Sequence, residues 1–215
     1  MKRVLITGGG GGIAQAIKEK MTAAGGYDVR TPGRSELNVT DIAGVDKYMA
    51  EWTPDILINN AGYITVRSIS ECSINQIEDE KKVVDINLFG VFNCTAAAFR
   101  HNQDVQIVNI GSAAAAKIHG TWSSYCATKA AVVMATRCWA EDGKRCVCVS
   151  PGRTETKMRK FLYPNEDSAT LMKPDDFAQI VLYAAQGKYP NGANIDVNIG
   201  NVKQLIADIE DREVG

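Results

Sequence analysis

Apolar positions recur along the chain in two alternating rhythms. Short apolar runs stand at Val4–Thr7, Tyr27–Thr31, Leu37–Val39, Asp55–Asn59, Val105–Ile110, Cys146–Val149 and Asn194–Asn198. Runs of this length, rich in β-branched residues, predict strands of the buried, parallel kind. Between them the spacing turns helical. Ile13, Ala16, Ile17 and Met21 fall on successive turns of a helix over Ile13–Ala24, which Gly25-Gly26 closes. Thr40-Asp41 caps a helix that runs through Glu51. Ser73–Phe99 reads as helix in two pieces, and Tyr125–Glu141 and Pro174–Gln186 as single helices. Val202, Leu205, Ile206 and Ile209 share one face of an amphipathic helix over Val202–Asp211. Such alternation predicts an α/β fold, a doubly wound parallel sheet with helices on both faces. Ligands of that architecture sit at the carboxyl ends of the strands, where the strand order reverses.

Composition narrows the function classes. A chain of 215 residues buries roughly 70% of its unfolded surface, enough to fold without disulfides or metals. Lys and Arg number 24 against 25 Asp and Glu, a net charge of −1 that provides no global field for nucleic acid. No run of about 18 apolar residues predicts a membrane span. The N-terminus enters a glycine run after Ile6-Thr7, too early for a secretory signal, so a cytoplasmic location is expected. The six cysteines form no Cys-x-x-Cys pair and only two histidines are present, so no metal site is expected. Cys146 and Cys148, on one strand face, read as small buried thiols.

Chemistry gathers at the strand ends. Gly8-Gly9-Gly10-Gly11-Gly12-Ile13 joins the first strand to the first helix. Glycines there let a pyrophosphate approach the backbone, and the helix start offers free N–H groups and a positive dipole end. Asn59-Asn60-Ala61-Gly62 closes a later strand with small residues that leave room for a flat ligand. Tyr125 and Lys129 lie one helical turn apart on one face. A neighbouring ammonium favours the phenolate and lowers the phenol pKa, which makes an acid–base pair. Ser112, just after a strand, is placed to hydrogen-bond a carbonyl, and Asn87 weakens the helix in which it sits. Pro151-Gly152-Arg153-Thr154-Glu155-Thr156 opens a loop with hydroxyl donors.

In this order the motifs resemble the short-chain dehydrogenase/reductase family, from Val4 to about Ile199. Thr7–Ile13 is similar to its Thr-Gly-x-x-x-Gly-Ile cofactor loop, with Ala14 in place of the usual third glycine. Asn59–Gly62 is identical to its Asn-Asn-Ala-Gly, and Pro151, Gly152 and Thr156 match its Pro-Gly-x-x-x-Thr. Ser112 and Tyr125 stand thirteen residues apart, the family's usual separation. The resemblance implies a Rossmann-like single domain, residues 1–200, with the NAD(P) site and substrate site in one body, followed by a helical tail, 201–215. It implies a catalytic set of Asn87, Ser112, Tyr125 and Lys129. Tyr125 would exchange the substrate proton, Lys129 lower its pKa and bind the nicotinamide ribose, Ser112 polarise the carbonyl, and Asn87 hold a relay water. The cofactor would lie along Gly8, Gly10, Gly11, Gly12, Ile13, Asn60, Ala61 and Gly62, with Pro151, Gly152, Thr154 and Thr156 at its nicotinamide end. The substrate class is a small carbonyl or alcohol, and a homodimer or homotetramer is expected. The pairing faces would be Ala96–Ala98 and Ala130–Val133.

Two departures bear on the cofactor. Only Pro32–Glu36 separate the second strand from the expected third, Leu37–Val39, too few for a crossover helix of a dozen or more residues. This shortened connection opens the adenosine side. The end of the second strand also lacks the acidic residue that accepts from an NAD ribose, whereas Arg34 is able to pair with a 2′-phosphate. NADP(H) is therefore favoured over NAD(H), although Gly11 lacks the basic side chain of many NADP-using relatives. Asn38 and Val39 stand where the family contacts adenine, with the Asn38 amide oxygen as acceptor. The missing helix is also similar to dihydropteridine reductase, an NADH-dependent alternative that Ser112 disfavours. A non-enzymatic nucleotide sensor, the other alternative, is disfavoured by the complete set of four. Arg153, Lys157, Arg159 and Lys160 form a basic lid, read first as a solvated helix face and otherwise as an attractor of an acidic substrate or an acyl-carrier protein.

Overall fold

The structure, a computed structural model, describes residues 1–214. Its elements are β1 (Lys2–Ile6), α1 (Gly12–Ala24), β2 (Tyr27–Arg30), α2 (Ile42–Glu51), β3 (Ile56–Asn59), α3 (Ile74–Val84), α4 (Gly90–His101) and β4 (Gln106–Ile110). They continue as α5 (Ser123–Glu141), β5 (Cys146–Pro151), α6 (Lys157–Leu162), α7 (Pro174–Ala185), β6 (Asn194–Val197) and α8 (Val202–Val214). The strands form one sheet in the order β2-β1-β3-β4-β5-β6, every pair parallel. After β1 the chain first adds β2 on one side and then crosses back to lay β3 on the other. The reversal therefore falls between β1 and β3.

Side-chain alternation along the central strands divides the core in two. Val4, Ile6, Ile56 and Ile58 face one layer with Ile17 of α1, Phe177 and Ile180 of α7, and Val202 and Ile209 of α8. Leu5 and Leu57 face the opposite layer with Val45 and Met49 of α2 and Cys94, Ala97 and Ala98 of α4. The C-terminal helix is thus part of the first layer, not a free tail; residue 215 lies outside the described residues.

The expected third strand is not one. Gly33 O accepts from both Glu36 N (3.0 Å) and Leu37 N (2.9 Å), which makes a turn immediately after β2. Leu37 and Val39 are buried, but in the core with Val45, Met49 and Leu57. Their apolar character reports burial under a loop, which three residues cannot distinguish from a strand. The short connection therefore removes a strand as well as a helix, and β2 becomes the sheet edge. Asp41 then caps α2 as expected, its side chain accepting from Gly44 N at 3.1 Å.

The helical run Ile74–His101 is continuous, interrupted only by a π-turn at Asp85–Phe89. By length and composition it is apolar enough to cross a membrane, but Val83, Cys94, Ala97 and Ala98 are buried in the fold. The expected pairing faces divide between core and surface: Ala96 and Ala130 are exposed, and Ala131 and Val133 half-buried. Ala97, Ala98 and Val132 pack inward, whereas Phe89, Phe92 and Met134 are the exposed apolar residues of α4, α5 and the turn before α4.

Candidate active site

The glycine loop is held by the neighbouring strand ends. Thr7 is buried, and its hydroxyl oxygen accepts from the backbone N–H of both Asn60 and Ala61 at 3.0 Å. The Asn60 side chain returns the contact by donating to Thr7 O at 2.9 Å. Gly8 adopts φ 72°, and a Cβ there would stand 2.8 Å from Ala61 Cα. A Cβ on Gly9 would stand 2.0 Å from Thr31 O, while one on Gly10 would meet nothing within 4 Å. The loop is thus pressed against protein on one side and open on the other. Helix α1 starts from Gly11 with no side-chain cap and no acidic residue in its first turn. Its uncapped N–H groups and dipole end favour an anion, so the cradle fits a dinucleotide pyrophosphate.

Asn87 lies in the π-turn and is fully buried. Its Oδ1 accepts from Tyr63 N at 2.7 Å, and its Nδ2 donates to Tyr63 O at 2.8 Å and Thr128 Oγ1 at 3.3 Å. The amide therefore pins the loop after Asn60-Ala61-Gly62 to α5. It reaches the site through Tyr63 instead of lining a cavity. A π-turn concentrates at functional positions because it displaces one helical turn from regular hydrogen bonding.

Ser112, Tyr125 and Lys129 converge at the end of β4. Ser112 stands beside Tyr125, close enough to work against the effect of burial on its phenol, and its oxygen accepts from Ala114 N at 3.1 Å. The buried Lys129 donates its ammonium to Ile110 O at 2.7 Å and lies 5.8 Å from the Tyr125 ring centroid. Burial brings the Lys129 ammonium down to about 8. Burial likewise pushes the Tyr125 phenol up, against a lowering by Ser112. The expected lowering of Tyr125 by Lys129 is thus corrected in the chain alone: desolvation prevails, and the phenol holds its proton at neutral pH.

Two adjoining cavities meet at Tyr125. The first, about 520 Å³, is lined by Gly8, Gly10, Gly11, Gly12 and Ile13, by Asn60, Ala61 and Gly62, and by Arg34, Asn38 and Val39. Tyr125, Lys129, Pro151 and Thr156 complete the expected lining. The second, about 540 Å³, holds Ser112, Gly152 and Thr154 and shares Ile13, Tyr125, Pro151 and Thr156 with the first. Thr154 is buried and held by its own loop, its hydroxyl donating to Gly152 O at 3.1 Å. Asn38 is only half as expected: its Oδ1 already accepts from Thr40 N (3.3 Å) and Thr40 Oγ1 (3.0 Å), so it is not a free acceptor for adenine.

Sequence reasoning missed Tyr63, Lys82, Ile86 and Met158, which also line the first cavity. Lys82 sits 4.7 Å over the Tyr63 ring. Nothing in the local pattern of α3, the π-turn or α6 marks Lys82, Ile86 or Met158. Tyr63 had one signal, its position directly after the Asn-Asn-Ala-Gly turn.

Comparisons with known proteins identify the family and the fold. A family model described as short chain dehydrogenase matches residues 34–167. The chain is 29% identical over 240 residues to 2,3-dihydro-2,3-dihydroxybenzoate dehydrogenase of Bacillus subtilis, covering 87% of this chain and 90% of that one. It is 29% identical to meso-2,3-butanediol dehydrogenase of Serratia marcescens, over 93% and 94% of the two chains. Among solved structures, a short-chain type dehydrogenase/reductase from Mycobacterium marinum superposes with a TM-score of 0.80 at 25% identity, over 93% of this chain and 94% of that one. The fold is that of a family of oxidoreductases that act on alcohols and carbonyls. The chain belongs to the short-chain dehydrogenase/reductase family.

Proposed function

We propose that this protein is an NADP(H)-dependent oxidoreductase that interconverts a small-molecule carbonyl and an alcohol, with Tyr125 as proton donor and acceptor. The observation that carries the reading is that Tyr125 lies on the wall common to both cavities, beside Ser112 of the second and one helical turn from the buried Lys129 of the first. The bound nicotinamide supplies the hydride in reduction and takes it up in oxidation. In reduction Ser112 donates to the carbonyl oxygen, and the protonated Tyr125 delivers its proton as the alkoxide forms. Lys129, charged below about pH 8, stabilises the phenolate left behind and reaches the first cavity, where the ribose would lie. Asn87 acts as a positioning residue through the Tyr63 peptide.

The choice of NADP(H) rests on charge. The first cavity is lined by Arg34, Lys82, Lys129 and Lys157 and by no carboxylate. Glu36, the first acid after β2, is turned to Gly33 N at 2.9 Å. Arg34 is exposed at the cavity wall and forms no ion pair among the described residues. Arg34→Ala is expected to weaken NADPH binding by about 1.5–3 kcal/mol, the worth of a hydrogen bond to a charged group, and to leave NADH binding nearly unchanged. Parallel fluorescence titrations check this; equal losses would overturn the 2′-phosphate assignment.

We also infer assembly as a homodimer, with a homotetramer as the larger form, through the face carrying Phe89, Phe92 and Met134. Light scattering on the eluting protein is expected to give twice the monomer mass or a higher even multiple, and a monomer would overturn the inference. The six unpaired cysteines suit a reducing compartment, the cytoplasm.

A further inference from the structure

The second cavity has an unusual balance of charge. Lys117, Arg153 and Arg159 line it, and no Asp or Glu does. One carboxylate nearby, Glu166, serves both arginines. Arg159 holds it with two bonds, Nε to Oε2 at 2.6 Å and NH2 to Oε1 at 2.7 Å. Arg153 reaches it with one bond, NH1 to Oε1 at 3.2 Å. The Arg159 side chain is 17% exposed and the Arg153 side chain 55% exposed. Arg159 is thus fixed in the lid, whereas Arg153 spends one N–H on Glu166, lines the cavity and is more than half exposed. Lys117 has no ion pair among the described residues. The charges of Lys117 and of one arginine are left uncompensated beside a site that otherwise favours apolar surface.

The apolar part is a ring-lined wall. His119 stacks on Trp122 at 4.4 Å, the Trp122 indole meets the Tyr125 ring edge-on at 5.9 Å, and Tyr163 lies 6.3 Å from Trp122. Trp122 is buried, 7% exposed, and lines the cavity with its stacked neighbour His119. A flat apolar body laid on this wall would bring its carbonyl to Ser112 and Tyr125, and an anionic substituent to Arg153. A planar guanidinium with several free N–H donors matches a carboxylate in geometry as well as charge.

We propose that the substrate is a carboxylate-bearing carbonyl or alcohol with an apolar, ring-shaped body, and that Arg153 is the residue that selects the carboxylate. This rests on the oxidoreductase reading given above. The carboxylate takes no part in the redox step: the ketone carbon gains a hydride, its oxygen gains the Tyr125 proton, and the acid group leaves unchanged.

The test uses the protein saturated with NADP⁺ and two unreactive probes, cyclohexanecarboxylate and cyclohexanecarboxamide, titrated by calorimetry. The carboxylate is expected to bind about tenfold tighter or more, the step set by a charge-assisted contact. R153Q is expected to bring the two probes within about twofold of each other, and R153K to retain part of the difference. Steady-state reduction of 4-oxocyclohexanecarboxylate and its ethyl ester, with NADPH and NADH in parallel, should show the same preference in kcat/KM. The melting temperature of each variant is read alongside, and R153K decides should R153Q fail to fold. No preference for the carboxylate, or a preference untouched at Arg153, would overturn the substrate assignment while leaving the oxidoreductase reading in place. Failure of both NADP⁺ and NAD⁺ to bind would overturn that reading itself.

Discussion

Tyr125→Phe is expected to lower kcat by roughly a hundred- to ten-thousand-fold, the span of general acid–base contributions, while cofactor affinity changes little. The phenol oxygen is the one ionisable group on the wall common to both cavities whose proton is held at neutral pH. Its removal leaves the carbonyl oxygen with Ser112 as a hydrogen-bond donor but with nothing that gives up a proton. The ring itself stays: Phe keeps the edge contact with Trp122, now 5.9 Å between centroids. Stopped-flow hydride transfer with any substrate found in a screen reads the loss, and a fluorescence titration reads the cofactor. Turnover within tenfold of the parent protein would mean another group moves the proton.

Adjacent glycines are expected to fail in opposite ways. Gly9→Ala puts a methyl 2.0 Å from Thr31 O, a backbone atom of the segment that itself accepts from Gly9 N through Pro32 O at 3.0 Å. No side chain can move aside, so the loop and the end of β2 must separate. A loss of about 1–3 kcal/mol in stability follows, as for overpacked sites, together with weaker cofactor binding. Gly10→Ala meets nothing within 4 Å, and Gly10 is not among the glycines with positive φ. Its stability is expected to stay within about 0.5 kcal/mol of the parent, because the chain alone has room for the methyl. Cofactor affinity, in contrast, is expected to fall about tenfold or more, since a side chain then stands where the pyrophosphate must approach the backbone. Calorimetric melting and cofactor titration of both variants separate the two effects. A Gly10→Ala protein that binds cofactor like the parent would place the dinucleotide elsewhere.

Much of this protein was legible along the chain. Local pattern determined the alternation of strands and helices, because buried parallel strands and amphipathic helices leave different periods in the sequence. Spacing alone placed Tyr125 and Lys129 on one helical face, and the glycine run between an apolar strand and a helix marked the anion cradle. The cap at Asp41 and the helix through Glu51 followed from the same local chemistry. What the tertiary structure decided lies where burial and distance overrule local signal. Leu37 and Val39 carry a strand's composition, yet the short connection Thr31–Glu36 after β2 cannot carry the chain over, so Leu37 and Val39 fill a core instead and leave β2 at the edge. Lys129 is close to Tyr125 in sequence, but its ammonium turns to Ile110 O, and desolvation raises the phenol that proximity was expected to lower. Asn87, read as a relay residue, has its amide engaged by the Tyr63 peptide. The lid arginines look alike in sequence; only the folded chain shows that Glu166 locks Arg159 and leaves Arg153 largely free. Periodicity is a property of neighbours in the chain. Desolvation and partner choice are set by residues brought together from beyond one helical turn, 7 positions for Arg159 and Glu166 and 24 for Asn87 and Tyr63, and these the sequence by itself does not carry.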